Sequence, residues 1–321
     1  MPASMNERPA AVIDVLVCTY RRPDLLIRTL DGIARCAAGP GAGAVRVVVV
    51  DNDYLCSAGE AVRRWARSAS VGVSYLSQPA QNISLTRNMG LAHATAPWIA
   101  LIDDDEVPDP GWLAALMEAA RRFDADVVFG PVISEFPDDA PAWARQGTLF
   151  QRKRFATGTV IPLKEARTGN VLLRAQRLAQ DRFRFDPELG LSGGEDSEFF
   201  GRLSKAGYRM VWCDDACVRE WTPPSRTRVA WVMKRAFRVG SVEAYNRRRF
   251  CHAQELCGAF VKFSLILAGG GMSAILWAPV SRARCIQSMR RTALGAGFYY
   301  GLLAGPYREY SSATVQDGST G

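Results

Sequence analysis

The sequence predicts an α/β fold, a mostly parallel central sheet with helices on both faces. Over residues 11–133, short β-branched apolar runs alternate with stretches of helical period. The runs are apolar at consecutive positions, as in strands buried on both faces. Three of them end on polar or acidic residues, at Thr19 to Arg21, Asp51 to Asp53 and Asp103 to Asp105. In open sheets of this kind, ligands collect beyond the carboxyl ends of the strands.

The elements follow in order. "AVIDVLVCTY" (11–20) reads as a buried strand, and Pro23 and Asp24 open a helix with Leu25, Leu26, Leu30 and Ile33 on one stripe. After the flexible "AAGPGAGA" (37–44), "VRVVVVDND" (45–53) is the second strand. A helix near 57–69, a strand at 71–78 and a helix near 84–94 come next. They are followed by the strand "WIALID" (98–103), a helix near 110–123 and the strand "ADVVFGPVI" (125–133). Residues 134–160 lose the pattern. A strand at 168–175, a Gly-rich turn, a helix from about 195 to 206 and a strand near 208–213 restore it.

With 321 residues, 48% hydrophobic and 22% charged, the chain can bury one large core or two smaller ones. The formal charge of +8 is unevenly spread. Between Arg226 and Arg308 there are fourteen basic residues against two acids, Glu243 and Glu255. A basic tail points to anionic partners. The eight cysteines include no C-x-x-C pair, which argues against a zinc knuckle, and several lie in apolar runs as reduced buried thiols do. "MPASMNERPA" has no apolar core of a secretory signal, so a reducing, cytosolic setting is expected for the soluble part.

In the last third, "FSLILAGGGMSAILWAPV" (263–280) is uncharged over eighteen residues, at the lower edge of a spanning length. "TALGAGFYYGLLAGPY" (292–307) is shorter, and the stretch Arg282 to Arg291 separates the two. A pair of buried core helices is one reading. The other, preferred here, is a hairpin associated with an anionic membrane surface through its arginines. The long uncharged runs suit lipid better than nucleic acid.

Two acidic clusters carry the candidate chemistry. In "IALIDDDEVPDPGW" (99–112), Asp103 and Asp105 lie two apart where an extended segment leaves the sheet, so both carboxylates point to one side. Hard divalent cations take such oxygen ligands together with phosphate oxygens, whereas a solvated acidic loop is the alternative. In "GGEDSEF" (193–199), Glu195 and Asp196 either favour the first turn of a helix or include a general base. "QNISLTRNMG" (81–90) supplies Asn82, Arg87 and Asn88 around a helix start, for phosphate or base contacts or for ordinary capping. "CTYRRPD" lacks the glycines of a phosphate loop, and "GPGAGA" precedes a strand instead of following one. A nucleotidyltransferase and a dinucleotide-binding dehydrogenase are therefore disfavoured.

"VCTYRRPDLLIRTLDGI", "VVVVDND", "QNISLTRNMGLAHA", "WIALIDDDEVPDPGWL" and "GGEDSEFFGRLSKAGYRM" together resemble, in order and spacing, the family 2 glycosyltransferases. The likeness spans roughly residues 11–240 and is strongest to bacterial exopolysaccharide and cell-surface polysaccharide members. It implies a GT-A fold over 1–240, followed by a helical, basic and apolar membrane-associating extension over 241–321. It also implies inverting transfer from a nucleotide-diphosphate sugar, with UDP preferred; the apolar, basic tail would place the site at the cytoplasmic side of the cell membrane, which suits a glycan or lipid-linked acceptor. Thr19, Tyr20 and Arg21 would line the nucleotide pocket, Asp51 would read the base, and Asn82 and Arg87 would contact the nucleotide. Asp103 or Asp104 would meet the ribose, and Asp105 a Mn²⁺ or Mg²⁺ ion. Asp196 would be the catalytic base, with Glu195 beside it. Where many relatives add a histidine ligand, "CVREWTPPSR" offers only Glu220. Either Glu220 supplies the extra oxygen, or Asp105, diphosphate and water suffice. A sugar-nucleotide-binding protein without catalysis is the alternative from another functional class.

Overall fold

The structure, a computed structural model, describes residues 12–41, 43–145, 149–250 and 253–307. The elements run β1 (Ile13–Thr19), α1 (Pro23–Ala37), β2 (Val45–Asp51), α2 (Gly59–Ala66), β3 (Gly72–Ser77), α3 (Ile83–His93), β4 (Trp98–Asp103), β5 (Glu106–Pro108) and α4 (Trp112–Arg122). After them come β6 (Val127–Phe129), β7 (Val132–Glu135), α5 (Ala142–Arg145), β8 (Asn170–Arg174), α6 (Ala175–Gln180), α7 (Glu195–Lys205), β9 (Met210–Trp212) and β10 (Val218–Trp221). Three long helices close the chain: α8 (Val229–Phe250), α9 (Ala253–Trp277) and α10 (Arg282–Ala304).

The chain forms two compact units. The first comprises residues up to Ile133, Arg152–Pro187 and Phe199–Glu220. Its seven-stranded sheet has the order β3-β2-β1-β4-β8-β6-β9, with β8 antiparallel to both neighbours and the other pairs parallel. Alternation within the strands divides the core between the two faces. Ile13, Val15, Val17, Val47 and Val49 pack with Leu26, Leu30 and Ile33 of α1 and Trp112 and Leu116 of α4. Leu16, Val48, Val50, Ile99 and Leu101 pack on the other face with Leu91, Phe199, Phe200 and Leu203. The mostly parallel, two-faced sheet expected from the sequence is present.

Residues 125–133, expected as one strand, are divided by Gly130 and Pro131. Proline cannot donate to a ladder. A Cβ at Gly130 would stand 2.2 Å from the Ala216 carbonyl oxygen. Asn170 spans this break: its Nδ2 donates to the carbonyls of Pro131 (3.0 Å) and Ala216 (2.7 Å), and its Oδ1 accepts from Trp112 Nε1 (2.8 Å). The short strand β5, unforeseen between the acidic turn and α4, pairs antiparallel with β10 and places Glu106 opposite Glu220.

The second unit comprises Ser134–Gln151, Glu188–Glu198 and the chain from Trp221 onward. The boundary at 240/241 implied by the resemblance falls inside α8. The arginines 282–291, expected to separate two apolar segments, form the first half of α10. Among the described residues, α9 is the one helix long and apolar enough to cross a membrane, with a mean hydropathy of 1.7 in its most apolar window. Glycines let α8 and α10 meet backbone to backbone. A Cβ at Gly240 would lie 2.0 Å from Leu294 O, one at Gly297 1.9 Å from Phe237 O, and one at Gly301 2.2 Å from Ser241 O. Gly297 and Gly301 form a small-x-x-x-small stripe, the spacing that presents one helix face for close approach.

Candidate active site

The turn from β1 to α1 is tied to the acidic turn after β4. Pro23 starts α1 with φ already helical. Thr19 Oγ1 donates to Asp104 Oδ2 at 2.8 Å, and Thr29 Oγ1 donates to the Asp104 carbonyl at 3.0 Å. Asp104 is buried, and that burial, with the Asp105 charge adding to it, pushes its pKa up to about 6. Arg22 Nη1 lies 3.3 Å from both Asp104 Oδ1 and Asp105 Oδ2. Asp105, at 6% exposure, therefore shares one cationic partner with Asp104. Arg21 has left-handed backbone (φ 55°), a strained state for a non-glycine residue, and ion-pairs with buried Asp53 at 3.3 Å. Tyr20 lies under the Arg21 guanidinium, 5.1 Å from ring centroid to Cζ.

Asp51, fully buried at the end of β2, accepts from the N–H groups of Asp53 (3.0 Å) and Ala58 (2.9 Å) and from Tyr75 Oη (2.8 Å). The structure thus uses its carboxylate to fix the loop before α2. Asn82 is the N-cap of α3: its Oδ1 accepts from Leu85 N at 3.0 Å while its Nδ2 donates to Pro187 O at 2.8 Å. The Asn82 N–H in turn donates to Asn52 Oδ1 at 2.9 Å, and Asn52 Nδ2 donates to the carbonyls of Gln78 and Ala80. Arg87, buried on α3, lies 5.4 Å from the Phe185 ring centroid.

Between β4 and β5, Asp104 and Asp105 form a turn that Glu106 closes by accepting the Asp103 N–H on Oε2 at 3.1 Å. Glu106 is fully buried, and among the described residues its Oε1 has no hydrogen-bond partner. Burial, and then the neighbouring Asp103 and Glu220 carboxylates, hold its pKa well above the carboxylate range and favour the neutral acid. Gly169 makes room here, since a Cβ would lie 2.7 Å from Glu106 Oε1 and 3.2 Å from Asp103 Oδ2. Glu220 Oε2 accepts from Arg152 at 2.9 Å.

The structure therefore gathers Thr19, Tyr20, Arg22, Asp104 and Asp105 into one cluster, with Asp103 at the same turn. Asp51 and Asn82 serve the loops after β2 and before α3. Arg22 is not singled out by the sequence, and Asp53 and Glu106 receive no individual role from it. For Arg22 the available signal was a basic pair directly before a helix-starting proline at a strand exit. As cation ligands, Asp104 and Asp105 already flank one positive group, and a hard divalent ion needs only one or two carboxylates when phosphate completes its shell. The residues fit such an ion as a half-site. Among the described residues no set of three His, Cys, Asp or Glu side chains is gathered that could hold a metal alone, and Glu220 is engaged with Arg152.

In the second unit, Gly193 and Gly194 have φ of 78° and 93°, a left-handed pair that turns the chain into α7. Glu195, buried, and Asp196, half-buried, occupy the first turn of that helix, where the positive end of the helix dipole favours negative charge.

The sequence pattern of glycosyl transferase family 2 matches residues 14–174, from β1 through β8, and so includes the Thr19, Arg22 and Asp103–Asp105 cluster. The chain is 36% identical over 299 residues to the succinoglycan biosynthesis protein ExoM of Rhizobium meliloti (strain 1021), covering 91% of this chain and 93% of that one. It is 26% identical over 240 residues to validoxylamine A glucosyltransferase of Streptomyces hygroscopicus subsp. limoneus, spanning 51% of that protein. In fold it is similar to the mannosyltransferase PcManGT from Pyrobaculum calidifontis, solved in complex with GDP-Man and Mn2+, with a TM-score of 0.63 at 18% identity over 91% of this chain and 87% of that one. A pattern that covers six of the seven strands of the central sheet, joined to likeness along nearly the whole of one relative, makes this chain a member of glycosyl transferase family 2 with a GT-A fold.

Proposed function

We propose that this glycosyltransferase transfers a sugar, with inversion and with a divalent metal, from a nucleotide-diphosphate donor to a glycan or lipid-linked acceptor in surface polysaccharide biosynthesis. The observation that carries the reading is the acidic turn at the carboxyl end of β4, closed onto the end of β1 through Thr19 and Arg22. The likeness to a succinoglycan biosynthesis protein supports the polysaccharide setting. Of the two candidates for the ribose, Asp104 already accepts from Thr19, which favours Asp103, and Asp105 is the residue for the metal. Mn²⁺ or Mg²⁺, when bound, neutralises charge on the departing diphosphate. UDP is the preferred nucleotide. Asp196 removes the proton from the attacking acceptor hydroxyl; the role rests on the order of the sequence motifs.

The test is a screen of nucleotide sugars for metal-dependent transfer, followed by Asp196→Asn. That variant is expected to abolish transfer and to leave nucleotide binding nearly intact. Unchanged turnover overturns the base assignment, and nucleotide binding without transfer by the unaltered protein supports the non-catalytic alternative. A second reading is favoured by Arg22, whose guanidinium already bridges Asp104 and Asp105. If transfer survives a chelator while Arg22→Ala abolishes it, the arginine replaces the metal.

The same proposal sets the protein on the cytoplasmic side of the membrane, as a peripheral or monotopic protein on anionic lipid. Its support is the outer side of α9, where Val261, Leu265, Met272, Ile275 and Leu276 are exposed, with Ile275 at 77%. At the end of that helix Trp277 lies 4.2 Å from the Arg284 guanidinium, an aromatic and cationic pair suited to the headgroup layer.

A further inference from the structure

Helix α8 lies outside the matched family pattern, and it presents two differently used faces. Phe237, Gly240 and Ser241 meet the backbone of α10 on one face. On another, Arg238, Val242, Asn246 and Arg249 recur at three- and four-residue spacing, a single helical stripe. This stripe lies along the segment that ends in Glu195 and Asp196. Arg249 Nη1 pairs with Glu188 Oε2 at 2.9 Å at the start of that segment. Arg238 Nη1 donates to the Ser192 carbonyl at 3.4 Å, and a Cβ at Gly193 would stand 2.4 Å from that same nitrogen. A Cβ at Gly194 would stand 2.2 Å from Val242 Cγ1 and 3.2 Å from Asn246 Nδ2. Two left-handed glycines have no conformational preference that would fix their direction by themselves. Here they are seated against a helix that backbone contact fixes in turn to α10.

We propose that Arg238 is a positioning residue for the catalytic base: with Val242 behind Gly194, it sets the Gly193–Gly194 turn and hence the orientation of Asp196 at the start of α7. The inference rests on the assignment of Asp196 as base. It makes the C-terminal helices part of the transfer machinery and not only an anchor. A base misplaced by about 1 Å loses rate on the order of 100-fold, whereas a donor held by other residues binds as before.

The experiment measures kcat, donor KM and donor affinity for the full-length protein and for Arg238→Ala, Arg238→Lys, Asp196→Asn and the Arg238→Ala/Asp196→Asn double variant. Arg238→Ala is expected to lower kcat by roughly 10- to 100-fold with donor KM and affinity unchanged. Arg238→Lys, retaining a donor on a flexible stem, should recover part of that loss. The double variant should be no slower than Asp196→Asn, because two residues acting through one step do not add. Full kcat in Arg238→Ala, or a rise in donor KM in step with the fall in kcat, overturns the proposal. Retained transfer in Asp196→Asn overturns the base assignment instead, so the two failures are distinct. Should Arg238→Ala not fold, Arg238→Gln keeps most of the stem and gives the same split of kcat from KM.

Discussion

Asp14 lies in β1 with no solvent exposure, and its partners show how a single charge knits the first unit together. Arg46 of β2 donates to it twice, at 2.7 and 2.8 Å, and the N–H groups of Thr95 and Ala96 before β4 donate at 2.7 and 2.9 Å. Burial alone would push the carboxyl pKa up. The Arg46 and backbone hydrogen bonds outweigh it and hold the pKa below the usual 3.8. A depressed carboxylate contributes stability that is present above the unfolded value of 3.8 and lost as pH falls through the lower folded value. Asp14→Ala should therefore cost about 3 kcal/mol near neutral pH, read by urea unfolding, because it strands a partly buried arginine. The penalty should shrink below pH 3.8; a constant penalty from neutral to acid pH would contradict the ionic origin. Residues of this kind are poorly legible in sequence. Asp14 reads as one polar interruption in an apolar run, and Asp51, Asp53, Asp104 and Asp105 look alike until their partners are known.

Among the elements, those with a strong period were legible and those made by pairing were not. The strands at Ile13–Thr19, Val45–Asp51 and Trp98–Asp103 follow directly from consecutive apolar residues bounded by polar ones. β5 has three residues and no pattern of its own, and it exists because β10 pairs with it. α10 combines a basic first half with an apolar second half, so reading by composition divided one helix into a spacer and a segment. Its packing yields a prediction. Gly297→Ala sets a methyl group 1.9 Å from Phe237 O, against backbone that cannot rotate away. The helices must separate, at a cost of about 1–3 kcal/mol, lowering the unfolding midpoint. An unchanged midpoint would show that the α8–α10 contact is looser than the structure draws it.

For the molecule as a whole, the proposed membrane attachment predicts that the exposed apolar face of α9 carries it. Leu265 (70% exposed), Met272 and Ile275 would each gain roughly 1.5–3 kcal/mol on full burial in an apolar phase. The variant Leu265→Gln/Met272→Gln/Ile275→Gln should lose sedimentation with anionic vesicles, while the unaltered protein is retained after a high-salt wash. Release of the unaltered protein by salt alone would assign the attachment to the arginines. Equal sedimentation of both proteins would leave α9 with no part in it.

The sequence by itself determined the mostly parallel α/β sheet, the strand exits on which polar residues gather and the family motifs in their order. These are local patterns of hydropathy and spacing, and burial acts on them residue by residue. Tertiary structure decided which acid does what. Asp51 is consumed by two loop N–H groups and a tyrosine, Asp104 by the end of β1, and Glu106 is driven toward its neutral form inside the turn. Those fates depend on donors supplied by elements distant in sequence. Adjacent carboxylates with equal intrinsic acidity are told apart only by their surroundings.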